Sequence, residues 1–205
     1  MIDLYTWPTP NGHKVHIMLE ETGLDYTAHA INIGEGDQFK PDFLKISPNN
    51  KMPAIVDQDG PDGKQISVFE SGAILMYLAE KTGMLMPPET AARYLVIQWL
   101  MLQIRGTGPI LGQAHHFLKF APEKVPYAME RYAKAAIRLC GVMDARLAEV
   151  EYLPGAYSIA DIACWVWSMT SAWQGVDMAG YPHAKRWFDE IGAWPAVQRD
   201  LKVSE

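Results

Sequence analysis

This chain of 205 residues contains only two cysteines, Cys140 and Cys164, and they do not form a Cys-x-x-Cys pair. Their scarcity excludes a disulfide-rich scaffold and a zinc site built from cysteine pairs, and it is typical of a reducing compartment. The chain also lacks a basic and apolar leader at its start, and its apolar runs are too short to cross a bilayer. We therefore expect a cytoplasmic protein with no disulfide, no membrane-spanning segment and no metal.

Positive charge is scarce in the first part of the chain. Residues 1–83 contain 6 lysines, 12 acidic residues and no arginine, whereas residues 84–205 contain 12 basic and 12 acidic residues. The net charge of -6 argues against nucleic acid or an anionic membrane as the main partner. If the first part binds an anion, backbone amides and helix ends must supply much of the attraction, and any arginine must come from the second part.

The hydrophobic pattern changes near residue 84, and this change predicts two domains. Residues 1–83 show the order β-α-β-α-β-β-α, which predicts an N-terminal thioredoxin-like domain. Residues 84–88 contain two prolines and are interpreted as the linker. Residues 89–205 show only helical patterns, so the predicted fold class is α+β with an all-helical C-terminal domain.

The same patterns predict the individual elements. Strands are expected at residues 2–6, 26–33, 54–57 and 66–69. Helices are expected at residues 11–22, 40–46, 71–81, 89–120, 126–150, 158–173 and 182–192, with the long fourth helix bent or broken near residues 106–109. Ser158 and Asp161 form a variant of the capping box at the start of one helix.

The most informative segment is the polar loop that runs through Met52 and Pro53 into an apolar strand. Proline cannot donate a hydrogen bond to a strand ladder, so it belongs at the start or edge of a strand. If the Met52–Pro53 bond is cis, the N–H and C=O groups of Met52 face outward, where an extended peptide can pair with them. An ordinary loop and strand is the alternative interpretation.

A second informative pair, Glu70 and Ser71, stands at the start of an apolar helix. The free amides and the positive dipole end of a helix N-terminus suit a carboxylate ligand. An edge that holds a peptide beside a pocket that holds its carboxylate predicts a peptide-binding site. An ordinary capped helix is the alternative.

A thioredoxin-like domain followed by an all-helical domain resembles a glutathione transferase over essentially the whole chain. The capping box is part of that resemblance. A finer similarity, to the nu-class bacterial transferases, lies in five segments: Pro8–Lys14, Gly36–Phe39, Ile46–Lys51, Leu111–His116 and Pro126–Tyr132. That class acts as disulfide-bond oxidoreductases and is related to a prion-forming nitrogen regulator of yeast.

The resemblance implies a set of glutathione contacts. Met52 and Pro53 would hold the cysteinyl backbone, and Glu70 with Ser71 would hold the γ-glutamyl end. Because an acid repels a carboxylate, Glu70 suits the α-ammonium group and Ser71 the α-carboxylate. The other implied contacts are Gln38 at the glycyl end, Asn50 and Lys51 beside the peptide edge, and Arg131 at a glutathione carboxylate, within one subunit or across a dimer interface.

Thr9 and Asn11 are the candidate catalytic residues. They lie between the first strand and the first helix, where polar donors and the helix dipole favour a thiolate over a thiol. The resemblance implies the same two positions for contact with the glutathione sulfur, although Asn11 could simply cap the helix. Tyr5 lies within the strand and is interpreted as packed. No cysteine is near this turn, so a protein thiolate is excluded there.

The helical domain is expected to supply most of a second-substrate pocket. The candidate residues are Trp7, His115, His116, Phe117 and Trp167. Adjacent histidines on a helix point in different directions, so a pocket wall is preferred to a metal site. Cys140 and Cys164 are interpreted as buried hydrophobic residues.

These observations predict glutathione-dependent reduction of disulfides, in which glutathione thiols rather than protein cysteines carry the redox couple. The expected partners are glutathione, a small-molecule disulfide or electrophile, and a second copy of the chain in a homodimer, with neither nucleic acid nor membrane. Two alternatives stay open. One is conjugation of glutathione to electrophiles as the main activity, and the other is a non-catalytic glutathione-binding regulator.

Overall fold

The structure, a computed structural model, describes residues 1–203. They form two compact units: Met1–Met84 together with the chain from Pro195 onward, and Leu85–Trp194. The first boundary lies between Met84 and Leu85. The last helix packs on the first unit rather than with residues 89–194.

The first unit is built on a sheet that has four strands within the described residues: β1 (Ile2–Thr6), β2 (Tyr26–Ala30), β3 (Ala54–Asp57) and β4 (Ile66–Phe69). Their order is β2-β1-β3-β4. Strand β1 is parallel to β2 and antiparallel to β3, and β3 is antiparallel to β4. Three strands have the predicted bounds, while β2 ends at Ala30 instead of residue 33.

Three helices complete this unit: α1 (Pro10–Thr22), α2 (Pro41–Ile46) and α3 (Ser71–Thr82). Helices α1 and α3 end at Gly23 and Gly83, whose φ angles of 65° and 69° give the left-handed cap that glycine adopts at little cost. The order of elements is the predicted β-α-β-α-β-β-α, and the thioredoxin-like fold is confirmed.

The second unit consists mainly of helices: α4 (Thr90–Leu102), α5 (Gly108–His115), α6 (Pro126–Leu147), α7 (Ile159–Ser168) and α8 (Pro182–Gly192). Helix α7 is central, because every residue from Ile159 to Val166 is buried. It ends at Ser168, five residues earlier than predicted, and a 3-10 turn at Ser171–Gln174 follows. Within residues 1–203, no helix is long and apolar enough to span a membrane.

A π-helical segment lies where the long fourth helix was predicted to be bent or broken. Residues 103–107 form a wider turn, in which the N–H of Gly108 donates to the carbonyl of Gln103, five residues back. The wider turn accommodates Pro109. Proline has no N–H to donate, and in a regular α-helix its ring crowds the carbonyl four residues earlier. A second π segment covers residues 116–120, and such segments frequently lie at functional sites.

Asp161 fixes the start of α7. Its carboxylate accepts hydrogen bonds from the N–H and hydroxyl of Ser158, which confirms the predicted capping box. It also accepts from the N–H of Leu153 at 2.9 Å and from the indole of Trp187 at 3.0 Å. Burial raises the pKa of Asp161 to about 6, against the effect of these hydrogen bonds.

Helix α9 (Pro195–Val203) is absent from the predicted elements. It packs on α1, where Nδ1 of His13 lies 2.8 Å from Oδ2 of the buried Asp200 and where Arg199 pairs with Glu20. Pro195 at the first turn was the available helix-start signal. A pattern this short is ambiguous alone, and its stabilising contacts join residues that are 187 positions apart.

Candidate functional site

Thr9 lies where α1 begins, beside the loop that precedes β3. Its hydroxyl oxygen accepts a hydrogen bond from the N–H of Gly12 at 3.3 Å, so Thr9 is the N-cap of α1. The same oxygen lies 3.3 Å from the carbonyl of Trp7 and 3.4 Å from the sulfur of Met52. The capping role considered for Asn11 therefore belongs to Thr9, and Asn11 lies one position inside the helix, partly exposed.

Gly12 lets α1 start this close to the end of β1. A Cβ atom on Gly12 would lie 2.3 Å from the carbonyl oxygen of Trp7 and 2.7 Å from the hydroxyl oxygen of Thr6. No other residue fits without moving the backbone, so this glycine keeps Thr9 at the strand end.

The Met52–Pro53 bond is cis, as the hypothesis of a peptide-binding edge required. The preceding loop is braced by a 2.6 Å hydrogen bond from the hydroxyl of Ser47 to the carbonyl of Lys51. Asn50 adopts a φ of 49°, which asparagine tolerates well, and donates its N–H to the carbonyl of Ser47. Among residues 1–203, no hydrogen bond involves the backbone N–H or C=O of Met52, so this edge is available for pairing.

The start of α3 brings Glu70 and Ser71 together in an unusual backbone conformation. Glu70 has a φ of 72°, its side chain is exposed, and it does not cap the helix. Non-glycine residues at such angles cost free energy and cluster at ligand sites. Ser71 is the first helical residue, and its N–H is one of the amides that the helix leaves without an internal partner.

Sequence reasoning missed one residue at this helix start. The ammonium nitrogen of Lys14, on α1, lies 3.3 Å from the hydroxyl oxygen of Ser71, and the side chain of Lys14 is only 1% exposed. The signal available was its position four residues before Met18, on the same face of α1. Lysine in that position would ordinarily be interpreted as extending to solvent.

Gln38 lies in a 3-10 turn at Asp37–Phe39. Its Nε2 donates to the carbonyl of Ile33 at 3.4 Å, while its buried Oε1 has no protein partner among the described residues. No hydrogen bond within residues 1–203 joins Gln38 to the loop that carries Asn50 and Lys51. Lys51 is exposed.

Tyr5 packs inside the first unit. Its ring stacks on His29 with centroids 4.8 Å apart and lies 6.4 Å from the ring of Phe43. Burial raises the pKa of Tyr5, with a smaller contribution from Asp3. These contacts agree with the interpretation of Tyr5 as a packed residue.

In the second unit, His115 belongs to an aromatic group with Phe120 and Trp173. The imidazole centroid lies 4.8 Å from each of the other two rings, and Nζ of Lys119 lies 5.1 Å from the ring of Trp173. Burial, with help from Lys119, lowers the pKa of His115, so the ring is neutral at pH 7. Its Nε2 is buried without a partner in the described part of the chain.

The other three pocket candidates of the second unit, His116, Phe117 and Trp167, have packing contacts of their own. Phe117 stacks on Tyr132 at 5.5 Å, and His116 contacts Phe117 edge-on. Trp167 lies over α5, where a Cβ on Gly112 would come within 3.2 Å of its ring, so this indole has a packing role. Arg131 is exposed on α6.

Trp7 belongs to the first unit. It lines a pocket of about 240 Å³ together with Thr6, Pro8, His13, His16, Ala28 and Ala30. In the second unit, the ring of His115 packs with that of Trp173, which was not among the predicted site residues.

The two cysteines lie in the second unit and form no disulfide. Burial raises the pKa of Cys140 to about 12, with a smaller contribution from Asp144, so this residue is a thiol at neutral pH. Cys164 is 1% exposed. Among residues 1–203, no group of three or more histidine, cysteine or acidic residues could hold a metal ion.

Comparison with known proteins gives a consistent picture. A family model described as "Glutathione S-transferase, N-terminal domain" matches residues 1–80. The disulfide-bond oxidoreductase YfcG of Escherichia coli K12 is 52% identical over 205 residues, covering 98% of this chain and 94% of YfcG.

Two solved structures are also similar. A glutathione transferase family member from Pseudomonas fluorescens pf-5, with two glutathione bound, is 47% identical and has a TM-score of 0.93. The match covers 98% of this chain and 92% of the P. fluorescens chain. A glutathione transferase from Pseudomonas putida, with one glutathione disulfide bound per subunit, is 42% identical and has a TM-score of 0.94. The match covers 100% of this chain and 92% of the P. putida chain. The thioredoxin-like fold, the Glu70–Ser71 start of α3 and these relatives agree, and the chain belongs to the glutathione transferase family.

Proposed function

We propose that this protein is a glutathione-dependent disulfide-bond reductase. The observation that carries the proposal is the contact of the Thr9 hydroxyl with Met52, whose backbone is open for pairing. The start of α3 at Ser71 belongs to the same unit and follows β4, which pairs with β3 through Ala54 and Phe69. The relative YfcG is named a disulfide-bond oxidoreductase, and the P. putida transferase holds a glutathione disulfide, which supports this reaction over others.

In this proposal, glutathione lies extended along the Met52 edge. Its cysteinyl backbone pairs with Met52 beside Pro53, as an added strand does. Its α-carboxylate meets the N–H and hydroxyl of Ser71, and its α-ammonium meets Glu70. The Oε1 atom of Gln38, which has no partner among residues 1–203, suits an N–H donor at the glycyl end. Asn50 and Lys51 complete the proposed contacts within the first unit.

The reaction is thiol–disulfide exchange. A glutathione thiolate attacks one sulfur of the substrate disulfide, forms a mixed disulfide and releases the other sulfur as a thiolate. A second glutathione thiolate then attacks the glutathione sulfur of the mixed disulfide. The products are oxidised glutathione and two substrate thiols. Thr9, Asn11 and the N-terminus of α1 stabilise the thiolate, and the binding contacts align the sulfurs.

The two cysteines do not take part in this mechanism. Their burial suits thiols that stay reduced in the cytoplasmic compartment expected from the sequence. We also propose a homodimer, since α4 exposes Tyr94, Leu95 and Met101, which are 64%, 40% and 42% exposed. Light scattering coupled to gel filtration measures this state directly.

Conjugation of glutathione to an apolar electrophile is a second candidate, because His115, Phe120 and Trp173 form an aromatic group in which Phe120 and Trp173 are 60% and 46% exposed. One assay separates the candidates. Purified protein is given glutathione and hydroxyethyl disulfide, with oxidised glutathione measured through a coupled reductase, and in parallel an aromatic electrophile. Turnover of the disulfide alone supports the proposal, turnover of the electrophile alone supports conjugation, and binding without turnover supports a regulator.

A further inference from the structure

Lys14 is more deeply buried than three other lysines of the first unit, which pair with aspartates. Lys40, Lys45 and Lys81 pair with aspartates through side chains that are 69%, 74% and 26% exposed. Lys14 is 1% exposed and reaches the hydroxyl of Ser71, which is itself 7% exposed. A lysine ammonium is almost never buried so completely without a specific arrangement around it.

The contact determines which way the Ser71 hydroxyl can bond. An ammonium group has three hydrogens and no lone pair, so it donates, and Oγ of Ser71 must accept. A hydroxyl has a single hydrogen, which then points away from Lys14. Within residues 1–203, the Ser71 hydroxyl donates to no protein acceptor. Ser71 therefore offers two donors to a ligand, its hydroxyl and its N–H at the start of α3.

We infer that Lys14 is a positioning residue that makes this helix start selective for a carboxylate. It fixes Ser71 as a donor and places a positive charge behind it, in a part of the chain that has no arginine. The inference rests on the proposed function, in which the α-carboxylate of the γ-glutamyl group meets Ser71. The same arrangement disfavours a ligand group that needs an acceptor at this position, such as an ammonium group or an amide N–H.

The test uses two ligands that differ only in this carboxylate. Calorimetry gives Kd for glutathione and for 4-aminobutanoyl-cysteinyl-glycine, which keeps the thiol, the amino group and the glycyl carboxylate. The native protein should prefer glutathione by about tenfold or more, because a hydrogen bond to a charged group is lost with the analogue. Lys14→Met should weaken glutathione binding by about tenfold and change the Kd of the analogue by less than about twofold.

Two further variants sharpen the test. Lys45→Met removes the same charge from an exposed, ion-paired position of this unit, and it should leave both Kd values unchanged. If Lys14→Met fails to fold, Lys14→Gln is used, because its amide has similar length and can accept a hydrogen bond from Ser71 as well as donate. It should show the same loss of preference for glutathione.

Three outcomes would overturn the inference. In the first, the Lys14 variants lose affinity equally for both ligands. In the second, they lose affinity for neither ligand. In the third, the native protein binds both ligands with equal affinity. The last outcome is independent of how any variant folds. A native protein that binds no glutathione would refute the proposed function as well, whereas the other results leave glutathione binding intact and refute only the role of Lys14.

Discussion

The hydroxyl oxygen of Thr9 lies 3.4 Å from the sulfur of Met52, although the two residues are 43 positions apart. This contact places the N-cap of α1 next to the open backbone edge in front of β3. A peptide thiol that pairs with Met52 would have its sulfur near Thr9, because the side chain of the paired residue extends from that edge. Thr9 therefore combines a structural role in α1 with a position suited to chemistry.

Substitutions of Thr9 should separate capping from chemistry. Thr9→Ala removes both the helix cap and the hydroxyl that would contact the glutathione sulfur. We therefore expect a loss of about 1 kcal/mol in the free energy of unfolding and a fall of at least about tenfold in disulfide turnover. Glycine is a good N-cap residue, so Thr9→Gly should keep most of the stability but has no hydroxyl. Thr9→Ser should keep both the stability and the hydroxyl. Denaturant unfolding and the coupled assay give the two readouts. Full activity in Thr9→Gly would show that the hydroxyl serves only the helix.

Tyr5→Phe should leave turnover within about twofold of the native value, since a side chain that touches no reacting atom contributes little to catalysis. The Tyr5 ring stacks on His29 inside the first unit, and phenylalanine keeps that stacking. The coupled assay compares this variant directly with Thr9→Ala. A loss in Tyr5→Phe as large as that in Thr9→Ala would assign the sulfur-directed donor to the phenol.

Replacement of both cysteines, Cys140→Ala with Cys164→Ala, should also leave disulfide turnover within about twofold. Burial raises the pKa of Cys140 to about 12, so it does not supply a thiolate at neutral pH. The stability of the double variant is measured first, because both side chains are packed in the helical unit. Complete loss of turnover in a folded double variant would refute a mechanism carried by glutathione alone.

Glu70→Gly should stabilise the protein while weakening glutathione binding. Glycine adopts the φ of 72° without the strain that glutamate bears, which favours folding by about 1 kcal/mol. The carboxylate that suits the α-ammonium group is lost, so Kd should rise by about tenfold. Glu70→Gln serves as the control, since it keeps the strained backbone and removes only the charge. Unchanged affinity in both variants would remove Glu70 from the site.

The buried carboxyl group of Asp161 should give stability a specific dependence on pH. Burial raises its pKa from 3.8 to about 6 in the folded protein, so the folded state holds this proton more tightly than the unfolded state. Its contribution to stability is therefore complete below about pH 4 and is lost as the pH rises through 6. Asp161→Asn should lose about 2 kcal/mol, because an amide cannot accept all the hydrogen bonds.

Urea unfolding of the native protein and of Asp161→Asn between pH 4 and pH 7 isolates the contribution of Asp161 to the free energy of unfolding, since both proteins have the same other carboxyl groups. The difference in the free energy of unfolding should shrink as the pH rises through this range. A difference that grows instead would show that the hydrogen bonds from Ser158, Leu153 and Trp187 outweigh burial.

Local patterns were sufficient for most of the secondary structure. Two short apolar segments at residues 54–57 and 66–69 predicted β3 and β4 with their observed bounds. Helix α9 was missed because nine residues carry too little periodicity, and its stability comes from contacts with α1. The glycines and Pro109 predicted a bend or break in the long fourth helix, but they did not specify the π turn that the structure shows there, because proline is compatible with several distortions.

The sequence by itself determined the two fold classes, the proline at the start of β3, the acid and hydroxyl at the start of α3, and the absence of a cysteine from the turn before α1. These features depend on residue type and on short spacings, which act through local backbone preferences and burial. The tertiary structure alone decided that Thr9 meets Met52, that Lys14 is buried against Ser71, and that Trp173 joins His115. Such contacts form only when the sheet and helices close, bringing together residues that are 43 to 58 positions apart in the chain.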